Sequence, residues 1–346
     1  MCDHRPRPGL SPASSRALAA RAALALCAAL AGCVPDPAER LLPPSDLKPP
    51  LVLEAGPEGS RSFRLRFDEE VRPVEGSFAL EPGPRAASAS AEGSLVLIDF
   101  GFDLEAGADY AVSGEAEDAA GNATRFVFSF AGWNGRPARL RLSEAQTAKN
   151  ASLTKPHRDY LEFVASEDGN LGGEEVSWAN SVRRFSYRFP GIEVRAGDFV
   201  VLHLAPEGIP EEKDERDADL ARSGGVDATS GARDLWSAAG GLPDASGAVV
   251  LRARAGDPAY EGLFYADEAK TGSLGDDKLA ALVAELSEAW PLAAAPSWED
   301  AFRWNPSTAR SLCRDQAVLA AGAGAWYVGA AGAQSPGAAN APRPTE

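Results

Sequence analysis

The sequence predicts an all-β protein: two β-sandwiches in series, the second carrying a helical insertion. Two patterns carry that prediction. Apolar residues recur with a period of two along much of the chain, as in Phe63-Arg-Leu65-Arg-Phe67, Phe126-Val-Phe128-Ser-Phe130 and Phe185-Ser-Tyr187-Arg-Phe189. Turn-forming pairs, among them Glu58-Gly59, Pro82-Gly83, Glu92-Gly93, Ala106-Gly107 and Gly121-Asn122, separate these runs at short intervals. Only one segment has a helical period.

The residues before the first strand read differently. Arg5, Arg7, Arg16 and Arg21 form a basic leader, followed by the apolar run Ala22–Leu30 and then Leu30-Ala31-Gly32-Cys33. That run is too short to span a bilayer as a mature helix. The arrangement resembles the signal peptide and lipobox of bacterial lipoproteins. The resemblance implies removal of residues 1–32, lipid on Cys33, and a membrane partner reached through that lipid. Val34 at the next position leans, by the same resemblance, towards the outer membrane or cell surface. Residues 33–50 are rich in Pro and read as a semi-extended tether. The mature chain would then carry a net charge of −19 and, with Cys33 taken by lipid, one free cysteine, Cys313, so no internal disulfide is expected. A lone thiol of this kind is expected to be a buried small hydrophobe.

Residues 51–133 make the first folded segment. Phe63, Leu65 and Phe67 alternate with charged residues, Val96, Ile98 and Phe100 face away from Leu95 and Leu97, and Tyr110 and Val112 alternate again. About 80 residues with this spacing suit one small Ig-like sandwich. Leu104-Glu-Ala-Gly107-Ala-Asp-Tyr110 and Asp118-Ala-Ala-Gly121-Asn122 resemble the strand entry and closing hairpin of bacterial Ig-like modules. Asp118 and Asn122 are read as turn formers in preference to calcium ligands. The resemblance implies a spacer without chemistry.

Trp133-Asn134-Gly135-Arg136-Pro137 is a turn and the expected joint. The second segment, 136–340, contains strands around Leu140–Glu144, Asp159–Val164, Phe185–Phe189, Asp198–Leu204, Ala248–Arg252 and Gly262–Tyr265, with a closing strand at Trp326-Tyr327-Val328. Leu142-Ser143-Glu144, Asp159-Tyr160-Leu161-Glu162-Phe163, Val194–Val201, Leu242–Leu251, Arg310–Arg314 and Ser335-Pro-Gly-Ala-Ala-Asn340 follow, in order, six motifs of the lamin tail domain family, which this segment resembles. The resemblance implies an Ig-like sandwich. The family domain is commonly near half this size, and the excess falls in two insertions, 206–233 and 268–308. In the second, Leu279, Leu282, Val283, Leu286 and Trp290 form one helical face, with Asp276 placed to cap it and Pro291 to end it. Ala341–Glu346 reads as a dispensable polar tail.

Charge and motif content narrow the function. The 346 residues hold 34 basic and 50 acidic side chains, a net of −16, which excludes broad nucleic-acid binding. Four Cys and three His exclude a multi-cysteine zinc module. The chain has no G-x-S-x-G, H-E-x-x-H or phosphate-loop motif, and neither enzymatic activity nor a cofactor is expected. Three candidate sites remain. Asp214, Asp217 and Asp219 in the acidic insertion could take a hard cation, although their spacing is not that of an EF-hand, and a solvated loop is the favoured reading. Trp298, Phe302 and Trp304 could anchor a glycan, although such dense aromatics are more often core. Glu144 and Glu162 could do acid–base work if their pKa values were split, but backbone or turn satisfaction is the favoured role. The expected function is that of a lipid-anchored envelope protein for adhesion or scaffolding, with protein or glycan partners. The alternative is a glycan- or calcium-binding lipoprotein. A lower alternative is an accessory module of an exported hydrolase system.

Overall fold

A computed structural model describes residues 46–83, 87–149, 157–275 and 277–344. The leader, Cys33 and most of the tether lie outside the described residues, as does Asp276. Residues Pro49–Glu346 form one compact unit. Among the described residues, the fold is all-β, built from sandwiched sheets, with one short α-helix. Among the described residues, no helix is long and apolar enough to cross a membrane.

The first sandwich contains β1 (Val52–Pro57), β2 (Ser62–Phe67), β3 (Arg72–Pro73), β4 (Ala79–Glu81), β5 (Ser88–Glu92), β6 (Leu95–Asp99), β7 (Asp109–Glu117) and β8 (Ala123–Ala131). One sheet runs β1-β2-β6-β5; in the other, β7 pairs with β3, β4 and β8. Alternation sends Phe63, Leu65, Phe67, Val96, Ile98 and Val112 into one core. At the β7–β8 turn the Asn122 backbone N–H donates to Asp118 Oδ1 at 2.9 Å and its amide to Oδ2 at 2.8 Å, which is the turn-forming role expected of both residues.

The second sandwich follows with β9 (Arg139–Gln146), β10 (Tyr160–Glu167), β11 (Gly169–Asn170), β12 (Glu175–Ala179), β13 (Arg184–Arg188), β14 (Glu193–Val194), β15 (Phe199–His203), β16 (Arg233–Trp236), β17 (Gly247–Arg252), β18 (Ala259–Asp267), α1 (Lys278–Ala284), β19 (Phe302–Trp304), β20 (Leu312–Arg314) and β21 (Trp326–Val328). A six-stranded sheet ordered β16-β15-β10-β9-β20-β21 faces a five-stranded sheet ordered β13-β12-β17-β18-β19, and β11 pairs with β14. Leu161, Phe163, Trp178, Val249, Leu263 and Trp326 meet in a single core between them.

Both insertions have a topological role that their composition does not show. β15 and β16 are parallel, and so are β18 and β19. A parallel pair needs a long crossover, because the chain must return to the starting end before running alongside. Residues 206–233 supply the first crossover, and residues 268–301, most of the second insertion, supply the second. Each therefore adds a strand to the sandwich.

Helix α1 is shorter than its apolar stripe predicts. It ends at Ala284, and Asp277, one residue beyond the predicted cap, accepts from the Leu279 and Ala280 N–H groups at 3.0 and 3.1 Å. Past the end, Glu285 is held by Arg184 and Arg252, and the chain continues in tighter turns. Leu286 still reaches the core by packing on Gly262, where an added Cβ would lie 2.2 Å from the leucine Cδ2. Trp290 is also buried. The face is as the sequence predicts, but its last turns are not α-helical.

The two sandwiches meet backbone to backbone. A Cβ on Gly107 would fall 2.0 Å from the Gly173 nitrogen, and one on Gly172 would fall 2.2 Å from the Ala106 oxygen. Across the same seam the buried Asn134 amide donates to the carbonyls of Asn170 at 2.8 Å and Gly172 at 2.9 Å.

The carboxyl end is tied down, contrary to the dispensable tail that its composition suggests. The Tyr327 hydroxyl donates to the Ala341 carbonyl at 2.6 Å, and Arg343 donates to the carbonyls of Gly324 and Trp326 at 3.1 and 3.0 Å. These bonds cover β21, an edge strand that would otherwise present unpaired groups. At roughly 0.5–1.5 kcal/mol for each of these three bonds, deletion of residues 341–346 is expected to cost about 1.5–4.5 kcal/mol. Calorimetry should show a melting temperature lower by several degrees. Truncation after Asp315 also removes Trp326 from the core, worth roughly 3 kcal/mol or more alone, and should abolish the second sandwich's transition.

Candidate functional site

The densest set of buried titratable side chains lies on the outer face of the six-stranded sheet, away from the main core. A change of parity in β9 puts it there. Leu140 and Leu142 face inward, and strict alternation would send Glu144 into the same apolar core. Between Glu162/Glu144 and Phe163/Leu142 the register shifts, leaving Ser143 as an extra residue. This bulge inverts the pattern. Ala145 takes the inward position, and Glu144 comes out directly opposite Glu162.

Cross-strand pairing then sets a row of side chains: Tyr327, Cys313, Glu144, Glu162, Val201 and Asp234. A second row brings Gln146, Tyr160, His203 and Trp236 together. The segment 335–340 closes over the glutamates. The Ser335 N–H and hydroxyl donate to Glu144 Oε2 at 3.1 and 3.3 Å, and the Gly337 N–H donates to Glu162 Oε2 at 2.7 Å. Ser311 Oγ also donates to Glu144. The Asn340 amide donates to the Ser143 carbonyl at 2.9 Å, so the bulge itself helps to anchor the closing segment.

Both glutamates are fully buried. Burial, with the Glu144 charge opposite, pushes the Glu162 carboxyl up to about 8. Burial raises Glu144 as well, against the bonds from Ser311 and Ser335. Cys313 lies beside this pair, its Sγ 3.9 Å from Glu144 Oε1. Burial and then the Glu144 charge push its thiol up to about 12, so at neutral pH it stays a protonated, unreactive small side chain. The arrangement is a clamp, in which paired carboxyls pin backbone N–H groups beneath a closed segment.

Sequence reading alone did not expose the two histidine–aspartate contacts. His203 Nε2 lies 2.8 Å from Asp234 Oδ1, with the imidazole stacked on Trp236 at 3.9 Å between centroids. His157 Nδ1 lies 2.7 Å from Asp227 Oδ1, and Asp227 adopts a φ of 68°. Each partner comes from the 206–233 crossover or the strand after it, so no local spacing links the pairs.

The sequence-derived candidates fall elsewhere. Trp304 is buried, donating through Nε1 to the Ala245 carbonyl at 3.0 Å, and offers no free ring face. Trp298 is half-buried, with its ring against Phe264 at 6.0 Å and Lys270 at 5.4 Å, and Phe302 is half-buried on edge strand β19. Asp214, Asp217 and Asp219 do not converge on one point among the described residues. Asp214 accepts from the Trp236 N–H, Asp217 from Arg222 and the Asp219 N–H, and Asp219 from the Ala221 N–H.

The acidic insertion is irregular and largely exposed, as a solvated loop should be, but one buried residue pins it. Its centre is the fully buried Glu215, whose Oε1 accepts from the Arg222 and Ser223 N–H groups at 3.1 and 2.9 Å and whose Oε2 accepts from the Asp234 N–H at 3.0 Å. Limited proteolysis should spare residues 211–225 in the wild type. Glu215→Ala, which orphans three N–H groups, should open that segment to cleavage.

A pH dependence follows from the buried carboxyls. Burial pushes Glu174 up to about 8, and burial with the nearby Asp244 charge pushes Asp159 up to about 7. With Glu162, these groups hold protons in the folded state that the unfolded chain releases near pH 4. Their contribution to stability is full below the unfolded values and is lost as pH rises towards about 8. The melting temperature should therefore be higher at pH 5 than at pH 8.5, and Glu162→Gln should flatten that slope.

Comparison with known proteins places the second sandwich. An "Uncharacterized protein" of Treponema pallidum (strain Nichols) is 31% identical over 161 residues, covering 46% of this chain and 39% of that protein. The chain thus spans about two-fifths of that relative's length. Among solved structures, dimeric latent PorU from Porphyromonas gingivalis matches 63% of this chain and 20% of its own at 12% identity, with a TM-score of 0.21, a likeness too slight to bear on the fold. The TP_1001 protein second domain family matches residues 138–328, from β9 to the end of β21 and more than half of the chain. The chain belongs to that family.

Proposed function

We propose that this is a lipid-anchored envelope protein whose sandwiches serve adhesion or scaffolding, the first as an Ig-like spacer and the second as a lamin-tail-like display domain. One observation supports this above others: Glu144 and Glu162, the pair best suited by type to acid–base work, are enclosed beneath residues 335–340 and bonded to that segment's backbone N–H groups. The same use recurs at Glu215, which holds the acidic crossover, and at Glu261, which binds the Gly262 N–H and Arg314. Side chains capable of chemistry are spent on rigidity, which suits a protein that presents surfaces. The ordered motifs of the second segment and the leader ending in Cys33 support the finer reading.

The anchor is tested by metabolic labelling with a radioactive fatty acid. Label should enter the wild type and be absent from Cys33→Ser, which should also leave the membrane fraction. Equal labelling of both proteins would remove the anchor and the envelope placement with it.

A further inference from the structure

Beside the Gly107–Gly172 contact, the seam leaves a cavity of about 270 Å³. Gly107, Gly132, Gly172 and Gly173 wall it, and Trp133 and Arg254 line it as well. Three of those walls cannot take a side chain without moving backbone: besides Gly107 and Gly172, a Cβ on Gly132 would lie 2.1 Å from the Glu105 carbonyl oxygen. The backbone side of the slot is therefore shaped before any ligand arrives, which lowers the ordering cost of binding there.

Size and lining define what fits. The volume falls just under the roughly 300–1,000 Å³ of drug-sized sites, enough for a molecule like one amino-acid residue. No hydroxyl or carboxylate side chain lines it. The one side-chain amide, Asn134, already donates to Asn170 and Gly172 and accepts from the Arg136 N–H. A sugar ring would leave its hydroxyls unmatched, whereas an apolar body would not. The remaining polar side-chain groups are all donors: the Trp133 indole N–H and two guanidinium ions. Arg188 pairs with Asp109. Arg254 has no acidic partner among the described residues and sits 5.9 Å from the Trp133 ring centroid. Arg254 is exposed, and its guanidinium is open to bidentate pairing with a carboxylate. Trp133 is 38% exposed and offers a ring beside it.

We infer that this slot binds a small carboxylate with a flat or aliphatic body, the carboxylate on Arg254 and the body between Trp133 and the glycine walls. The chemistry is shared by a free organic acid and by the carboxyl terminus of a partner chain.

Calorimetric titration of the full chain with N-acetylphenylalanine tests it, alongside N-acetylphenylalaninamide and glucuronate. Saturable binding of the acid is expected, with the amide and glucuronate each at least about tenfold weaker. Arg254→Ala and Trp133→Ala, with melting temperatures checked against the wild type, should each weaken the acid about tenfold or more. Gly-Gly-Phe binding tighter than N-acetylphenylalanine would assign a partner's terminus, and weaker binding a free acid; both outcomes support the slot. Absence of saturable binding at millimolar acid, equal binding of the amide or glucuronate, or an unaffected Arg254→Ala would overturn it.

Discussion

A carboxylate taken out of water must find donors or keep its proton, and the second sandwich is organised around that requirement. Glu144, Glu162, Glu174, Glu215 and Glu261 are all buried there. Each accepts from a group that is distant in sequence or that holds a loop: Ser335 on Glu144, Gly337 on Glu162, Tyr260 on Glu174, Asp234 on Glu215 and Arg314 on Glu261. Removing any one of these carboxyls orphans donors supplied by another part of the chain. The carboxyls therefore work as long-range ties, in a sandwich whose apolar core alone would leave its crossovers and its end unpinned.

The bulge at Ser143 is the geometric condition for the central tie. Without the extra residue, Glu144 would point between the sheets among Leu140, Leu142 and Phe163. With it, one sheet has an apolar inner face and a polar outer face, and the outer face needs a cover. The closing segment 335–340 and the residues around Thr229–Ala232 provide one, meeting so closely that a Cβ on Gly337 would fall 2.4 Å from the Thr229 side chain. The same cover keeps Cys313 inert and buffers the fold towards acid.

The seam follows a different principle. Glycine backbones and one buried amide, with ion pairs such as Arg188–Asp109, hold the sandwiches together. Contact of this kind tolerates almost no substitution, and it leaves a slot with glycine walls and with Trp133, Asn134, Arg188 and Arg254 in its lining. Arg254 lies exposed at that slot, beside the Trp133 ring.

Much of the fold was legible in the sequence, because burial on one face of a strand or helix leaves a local period. The inward faces of β2, β6, β10, β15 and β17, the closing strand at Trp326–Val328 and the apolar stripe of α1 all follow from it. The resemblance of motifs such as Asp159–Phe163 and Ser335–Asn340 marked segments that the structure brings together, Gly337 on Glu162. The expectation that Glu144 and Glu162 satisfy backbone groups is met. The Trp-rich and acidic candidates were legible as composition but not as role, because Trp304 and Glu215 differ from exposed residues only in what packs over them. Tertiary structure alone decided the parity change at Ser143, the parallel strands made by the two insertions, the pairing of His203 with Asp234 and the slot at the seam. Each depends on which strand lies alongside which, and a one-residue shift in register moves a side chain to the opposite face while leaving the sequence pattern almost unchanged.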